Sequence, residues 1–166
     1  MKKILFLLTI CTLSFSSCEK DDICDENTAT TPKLVITFYD KNDMTELKNV
    51  TQLKVIGEGM TNYYLFDAES EIKLPLKTTS ESTKFSFQLN SNDESIANTD
   101  TIEFNYSTSD VYVSRACGFK TLFALTPASP FIHTDSGLSD GLWMHTITVE
   151  TANIQTEDET HIKIYF

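Results

Sequence analysis

The feature that most restricts the fold is an apolar alternation of period two, repeated in short segments from Leu34 to Phe166. Successive side chains of a strand point to opposite faces, so this spacing predicts strands with one face buried. Leu34, Ile36 and Phe38 lie on one side of such a segment, with Val35, Thr37 and Tyr39 on the other. Leu53 and Val55 repeat the pattern before the Gly57-Glu58-Gly59 turn, and Tyr63-Tyr64-Leu65-Phe66 reads as a short apolar strand. The alternation returns at Ile72-Leu74-Leu76, Phe85-Phe87-Leu89 and Ile102-Phe104-Tyr106. It continues in Trp143-His145-Ile147-Val149 and closes in Ile162-Ile164-Phe166. No window of ten or more residues carries a helical stripe of apolar positions. Short strands at roughly 10-residue spacing predict an all-β domain: a single β-sandwich of immunoglobulin-like or related Greek-key topology.

Local signals place the connections. Pro75 cannot donate to a ladder, so it predicts an edge strand or a strand end. Ser107-Thr108-Ser109-Asp110 reads as a hairpin turn leading into Val111-Tyr112-Val113. Gly118 predicts a bulge or bend. Leu122 to Leu125 reads as a further buried segment, closed by Pro127 and Pro130. Residues 131–141, with Gly137 and Gly141, are expected to be a loop.

The first residues stand apart from this pattern. Lys2 and Lys3 precede an apolar run from Ile4 to Leu13, and Ser16 and Ser17 stand just before Cys18. That is the pattern of a secretory signal peptide over 1–17. A spanning helix would need about 20 apolar residues, and this run is shorter. Phe15-Ser16-Ser17-Cys18 looks like a bacterial lipobox with Phe15 where Leu is usual. The resemblance implies that Cys18 is acylated and becomes the N-terminus of the mature chain. Two or more acyl chains hold a protein firmly at a membrane. The other reading is an ordinary signal-peptidase site, with Cys18 free or disulfide-bonded. Lys20-Asp21-Asp22 then resembles the surface-export tag of Bacteroidetes-type lipoproteins, against a plain polar tether facing the periplasm. Residues 18–32 are polar and acidic and are expected to be a flexible tether to a sandwich at 33–166.

Cysteine and charge accounting follows from that cleavage. The 166-residue chain has four cysteines, 24 acids and 13 bases. Removing 1–17 discards Cys11, Lys2 and Lys3 and no acid, leaving 24 acids against 11 bases, a net −13. So acidic a chain is not expected to bind nucleic acid, nor to adhere electrostatically to anionic lipid headgroups. With Cys18 acylated, Cys24 and Cys117 remain. In an oxidising compartment the pair reads as a disulfide tying the tether to a core strand. Two separate thiols, with Cys117 a small buried hydrophobe, is the alternative.

The residues that carry chemistry elsewhere are sparse here. His133, His145 and His161 have no metal-ligand spacing. Asp135 and Asp140 offer oxygens to calcium, but without the acid-rich spacing of a calcium loop. No phosphate-cradling glycine loop is present. No catalytic residue, cofactor or metal is expected. Arg115, the sole arginine, stands two residues before Cys117 and is read as a packing partner for a carboxylate or as a ligand contact. Tyr39, Tyr63, Tyr64, Tyr112 and Tyr165 supply rings for a sugar-stacking platform or for ordinary cross-strand pairs.

Five segments together resemble one family. They are Cys18-Glu19-Lys20-Asp21-Asp22-Ile23-Cys24, Pro32 to Asp40, Leu53 to Gly57, Val111 to Lys120, and Thr160 to Phe166. The family is a group of small Bacteroidetes-type lipoproteins classed as a domain of unknown function. The resemblance implies a compact β domain in the cell envelope and carries no activity. The resulting expectation is a lipid-anchored outer-membrane protein, exposed at the cell surface, serving as a non-enzymatic interaction or assembly module for an envelope partner. The alternatives are a glycan- or small-ligand-binding module of an uptake system and a lipocalin-like lipid carrier in a closed barrel. In that carrier fold Gly-x-Trp stands near the N-terminus, whereas Gly141-Leu142-Trp143 lies near the C-terminus.

Overall fold

The computed structural model describes residues 23–136 and 141–166. Cys18, Lys20, Asp21, Asp22 and Asp140 lie outside them. The described residues form two packed β-sheets. The smaller contains β4 (Glu71–Leu74), β1 (Leu34–Tyr39), β11 (Ile162–Tyr165) and β9 (Thr146–Val149), in that order. The larger runs β10 (Asn153–Ile154), β7 (Gly118–Leu125), β6 (Asn98–Ser114), β5 (Ser82–Leu89), β2 (Leu53–Gly57) and β3 (Tyr63–Phe66). Its seventh strand, β8 (Phe131–Asp135), pairs with β6. The first and last strands pair in parallel, with Ile36 opposite Ile162, and the other ladders are antiparallel.

The alternating positions build the core between the sheets. Leu34, Ile36 and Phe38 of β1 face Val55, Phe85, Phe87, Ile102 and Phe104 of the larger sheet in one continuous apolar cluster. Trp143 lies against Phe38 and edge-on to Phe166, and Phe85 meets Phe104 edge to face. The buried side chains form one cluster between the sheets, and the described strands make two sheets rather than one closed barrel. Pro75 behaves as its chemistry requires: β4 is the edge of the smaller sheet and ends at Leu74.

Four expectations are corrected. First, Ser107 to Asp110 is not a turn. β6 runs unbroken for 17 residues, and the turn falls at Arg115–Cys117. Ser and Thr suit a solvated strand as well as a turn, and the ladder from Tyr106–Leu125 to Tyr112–Phe119 decides between them. Gly118, at φ +71°, follows that turn beside a register shift, as its conformational freedom permits. Second, residues 131–135 form β8 rather than a loop. Third, β1 is buried on both faces, not one. Val35 and Thr37 on its outer side are enclosed, the Thr37 hydroxyl meeting that of Thr160 at 2.7 Å. Fourth, Trp143 to His145 precede β9 rather than belonging to it, and Trp143 and Met144 are both buried.

Candidate functional site

Among the described residues, two places depart from a plain sandwich. One is β3. The larger sheet is wider than the smaller, so β3 projects past the edge of its partner layer. Tyr64 and Phe66 lie opposite the buried Val55 and Leu53, and therefore on the inner face. Nothing covers Tyr64 fully, and it stays about half exposed, stacked against Phe66 at 6.2 Å. Tyr63 and Leu65 occupy the outer face, with the Lys54 ammonium 4.9 Å from the Tyr63 ring. Under the overhang is a groove of about 380 Å³, lined chiefly by Met60, Tyr63, Tyr64, Pro75, Leu76 and Phe85. The Glu58–Lys84 ion pair, 3.3 Å apart, lies beside it.

The strand's free edge is what distinguishes it. An unpaired edge is a template for another chain unless charges, proline, shortness or a covering segment blunt it. β4 carries Glu71 and Lys73 and stops before Pro75. β10 has two residues. β9 is followed at once by Glu150, paired with Lys163 at 2.8 Å. β3 is Tyr-Tyr-Leu-Phe, with no charge or proline within it and its side chains largely exposed; Asp67 follows it at once, as Glu150 follows β9, so what sets β3 apart is its exposed apolar side chains. Among the described residues it pairs with β2 alone. The sequence marks it only as an apolar run, and an apolar run does not say whether its strand is interior or edge.

The other departure is the distal half of β6 with the start of β7. β5 accompanies β6 only as far as Asn105, and β10 meets β7 only at Phe123 and Ala124. Beyond these points the β6–β7 pair continues as a two-stranded arm, and Ser107 to Tyr112 are all exposed. Its turn holds Cys117, bonded to Cys24 across 93 residues of sequence. The disulfide therefore ties the N-terminal segment to the tip of an arm, not to a core strand. From there the segment follows the arm back to the body: Thr31 Oγ1 accepts the Thr121 amide at 3.0 Å, and Pro32 is buried. The Lys33 amide then donates to Glu157 at 3.0 Å. Residues 23–32 are thus a strap with fixed contacts, not a free tether. Arg115 lies in the turn beside the disulfide.

The remaining site expectations fall in separate places. Tyr39 and Tyr165 pair at 5.5 Å on the smaller sheet, with Tyr165 buried, while Tyr112 meets Phe119 on the arm at 5.4 Å. The five tyrosines form no single platform. Asp100, which the sequence does not single out, is fully buried on β6. His133 Nε2 lies 2.8 Å from its carboxylate, which also accepts the amides of Trp143 at 3.3 Å and Met144 at 3.0 Å. This cross-brace links β6 to the segment leading into the smaller sheet. His161 is buried elsewhere, and its Nδ1 accepts the Val35 amide at 2.9 Å. His145 is exposed, with Nε2 2.7 Å from the Lys41 ammonium. Asp135 accepts the Gly141 amide at 3.2 Å. Among the described residues no three His, Cys, Asp or Glu side chains are grouped to hold a metal ion.

Against this geometry, residues 52–166 match the model of a family of unknown function, DUF6452. The chain belongs to that family. The DUF6452 match begins just before β2 and takes in β3, its groove, the whole arm and Cys117. β1 and the strap with Cys24 precede it. No curated protein and no solved structure matches the chain.

Proposed function

We propose that this protein is a lipid-anchored component of the cell envelope, held at the outer membrane by acyl chains on Cys18 and exposed at the cell surface. In this reading it is one of the small Bacteroidetes-type lipoproteins that its sequence resembles. The sandwich is a non-enzymatic interaction module that receives an extended polypeptide segment of an envelope partner along β3. The observation that carries the module is the uncharged, unguarded edge of β3 above an apolar groove. An incoming strand would gain main-chain hydrogen bonds from that edge, and alternate side chains would enter the groove. The envelope location is supported by the signal pattern of residues 1–17 and by the Cys24–Cys117 bond, since disulfides persist in oxidising compartments.

A photo-reactive side chain placed at Leu65 in intact cells is the direct test. A discrete cross-linked product is expected, lost when Tyr64→Lys puts a charge on the edge. No product, or the same product from a probe at exposed Ile132, would refute the docking edge. The anchor is checked separately: Cys18→Ala should abolish acyl labelling and membrane retention. Surface exposure predicts protease access on intact cells, lost when Lys20, Asp21 and Asp22 become Ala. A second reading, a glycan site, draws on Tyr63 and Tyr64 beside the groove. It predicts retardation in polysaccharide gels that disappears in Tyr64→Ala.

A further inference from the structure

We propose that the tip of the β6–β7 arm is a membrane foot, its apolar face seated in the lipid interface to which the acyl chains hold the protein; this rests on the lipid-anchor reading above. The argument is one of chain length. Cys24 is bonded to Cys117 in the arm's turn. Cys18 precedes Cys24 by only six residues of sequence. A fully extended chain covers at most about 3.5 Å per residue, so six residues reach about 20 Å. Whatever anchors Cys18 therefore holds the tip of the arm within that distance. The body of the sandwich sits at the far end of an arm whose strand, Ser107 to Ser114, spans roughly 25 Å at strand rise. The tip is the part of the described structure tied most closely to the anchor.

The tip carries the side chains such a position calls for. Tyr112 and Phe119 stand directly opposite each other in the ladder, on one face, and are 59% and 68% exposed. Ile23, beside the disulfide, is 81% exposed. Among the described residues neither sheet packs on this face; the strap borders Phe119 without covering it, Thr28 to Thr31 sharing a shallow concavity with the ring. An aromatic ring with a hydroxyl suits the membrane interface, where one end is apolar and the other wet. Lys120, on the opposite face, has a long aliphatic stem that lets its ammonium stay in water. The net acidity of the mature chain gives no general attraction to lipid, so the contact is apolar and confined to this face.

The test uses the full chain, matured and acylated in a host envelope and reconstituted into phosphatidylcholine vesicles. Tryptophan replaces Phe119 in one variant and Tyr64 on β3 in another, both exposed sites. With the parent's Trp143 emission subtracted from each, the Phe119→Trp emission is expected to lie to the blue of the Tyr64→Trp emission. It is also expected to lose intensity in vesicles with brominated acyl chains, whereas that of Tyr64→Trp does not. Vesicle flotation with no quenching at position 119 would overturn the foot and leave the anchor standing. A blue-shifted but unquenched signal means the face is covered by protein, a second copy or a partner, and equally overturns it. Failure to float at all would overturn the anchor, and the foot with it.

Discussion

Phe104 and Phe119 are the same residue type on neighbouring strands of one sheet. Yet Phe104 is fully enclosed and Phe119 is mostly exposed. The body around Phe104 is held by burial: two sheets meet face to face, and each inward position touches several others. The arm around Phe119 has one ladder, no opposing sheet and a covalent bond at its tip. Where area can be buried the chain uses alternating apolar residues. Where it cannot, a cross-link and a strap replace them. The contrast separates residues that serve folding from residues available for something else.

Two substitutions test that contrast with the largest expected difference. Phe104→Ala should destabilise the protein by about 3–5 kcal/mol in denaturant unfolding, because it leaves a cavity in a packed interior. Phe119→Ala should stay within about 0.5 kcal/mol of the parent, as exposed positions do. A loss above about 2 kcal/mol at Phe119 would mean that the arm is part of the body's packing.

Next in size is the disulfide. A cross-link closing so long a loop contributes about 2–4 kcal/mol, chiefly by restricting the unfolded chain. The paired change Cys24→Ser with Cys117→Ser should lower stability by about that amount. It should also speed amide exchange along residues 107–122 and the strap more than in β5 or β1. Equal acceleration everywhere would show that arm and body open as one unit, and the comparison would fail.

Asp100→Asn acts within the body by a different route. The amide keeps one oxygen and presents hydrogens at the other position, so one of the Trp143 and Met144 amides, accepted by different carboxylate oxygens, loses its acceptor. Losing the acceptor for a buried donor costs about 2 kcal/mol. The expected signature is a lowered unfolding midpoint together with altered Trp143 fluorescence. An unchanged midpoint would mean that the two layers hold together without the brace.

How far these regions are legible in the sequence follows the same division. Phe85-Phe87 and Ile102-Phe104-Tyr106 announce themselves because they lie on central strands with one buried face. The arm does not. Ser107-Thr108-Ser109-Asp110 has turn composition, and only pairing with the distant β7 makes it strand. β8 is hidden for the opposite reason: its inward positions include His133 and Asp135, polar residues placed where the pattern calls for apolar ones. The pairing of Cys24 with Cys117 follows from counting cysteines, but its place at an arm tip depends on where β6 ends. The groove at β3 is the least legible, since it arises from the unequal widths of two sheets, which no local stretch encodes.

The last test concerns His161 and emerges only on acidification. Its Nδ1 accepts the Val35 amide, so the ring is neutral and carries its hydrogen on Nε2, which has no partner among the described residues. Burial pushes its pKa below the ordinary 6.5, against the opposing pull of Glu159 and Glu157. Above about 6.5 the ring is neutral both folded and unfolded, and its titration contributes nothing to the pH dependence of stability. As the pH falls below that value, the unfolded chain takes up a proton that the folded chain refuses, so stability declines. The decline is complete once the pH passes below the lowered folded-state value. A strap and arm tied by a disulfide would not respond over this range, whereas β1, to which His161 is bonded, would. His161→Asn offers an oxygen for the Val35 amide without a titrating ring. It should flatten the fall in unfolding midpoint between pH 7 and pH 5, the interval just around and below the ordinary histidine value. An unchanged slope would assign the acid sensitivity of the body to its carboxylates instead.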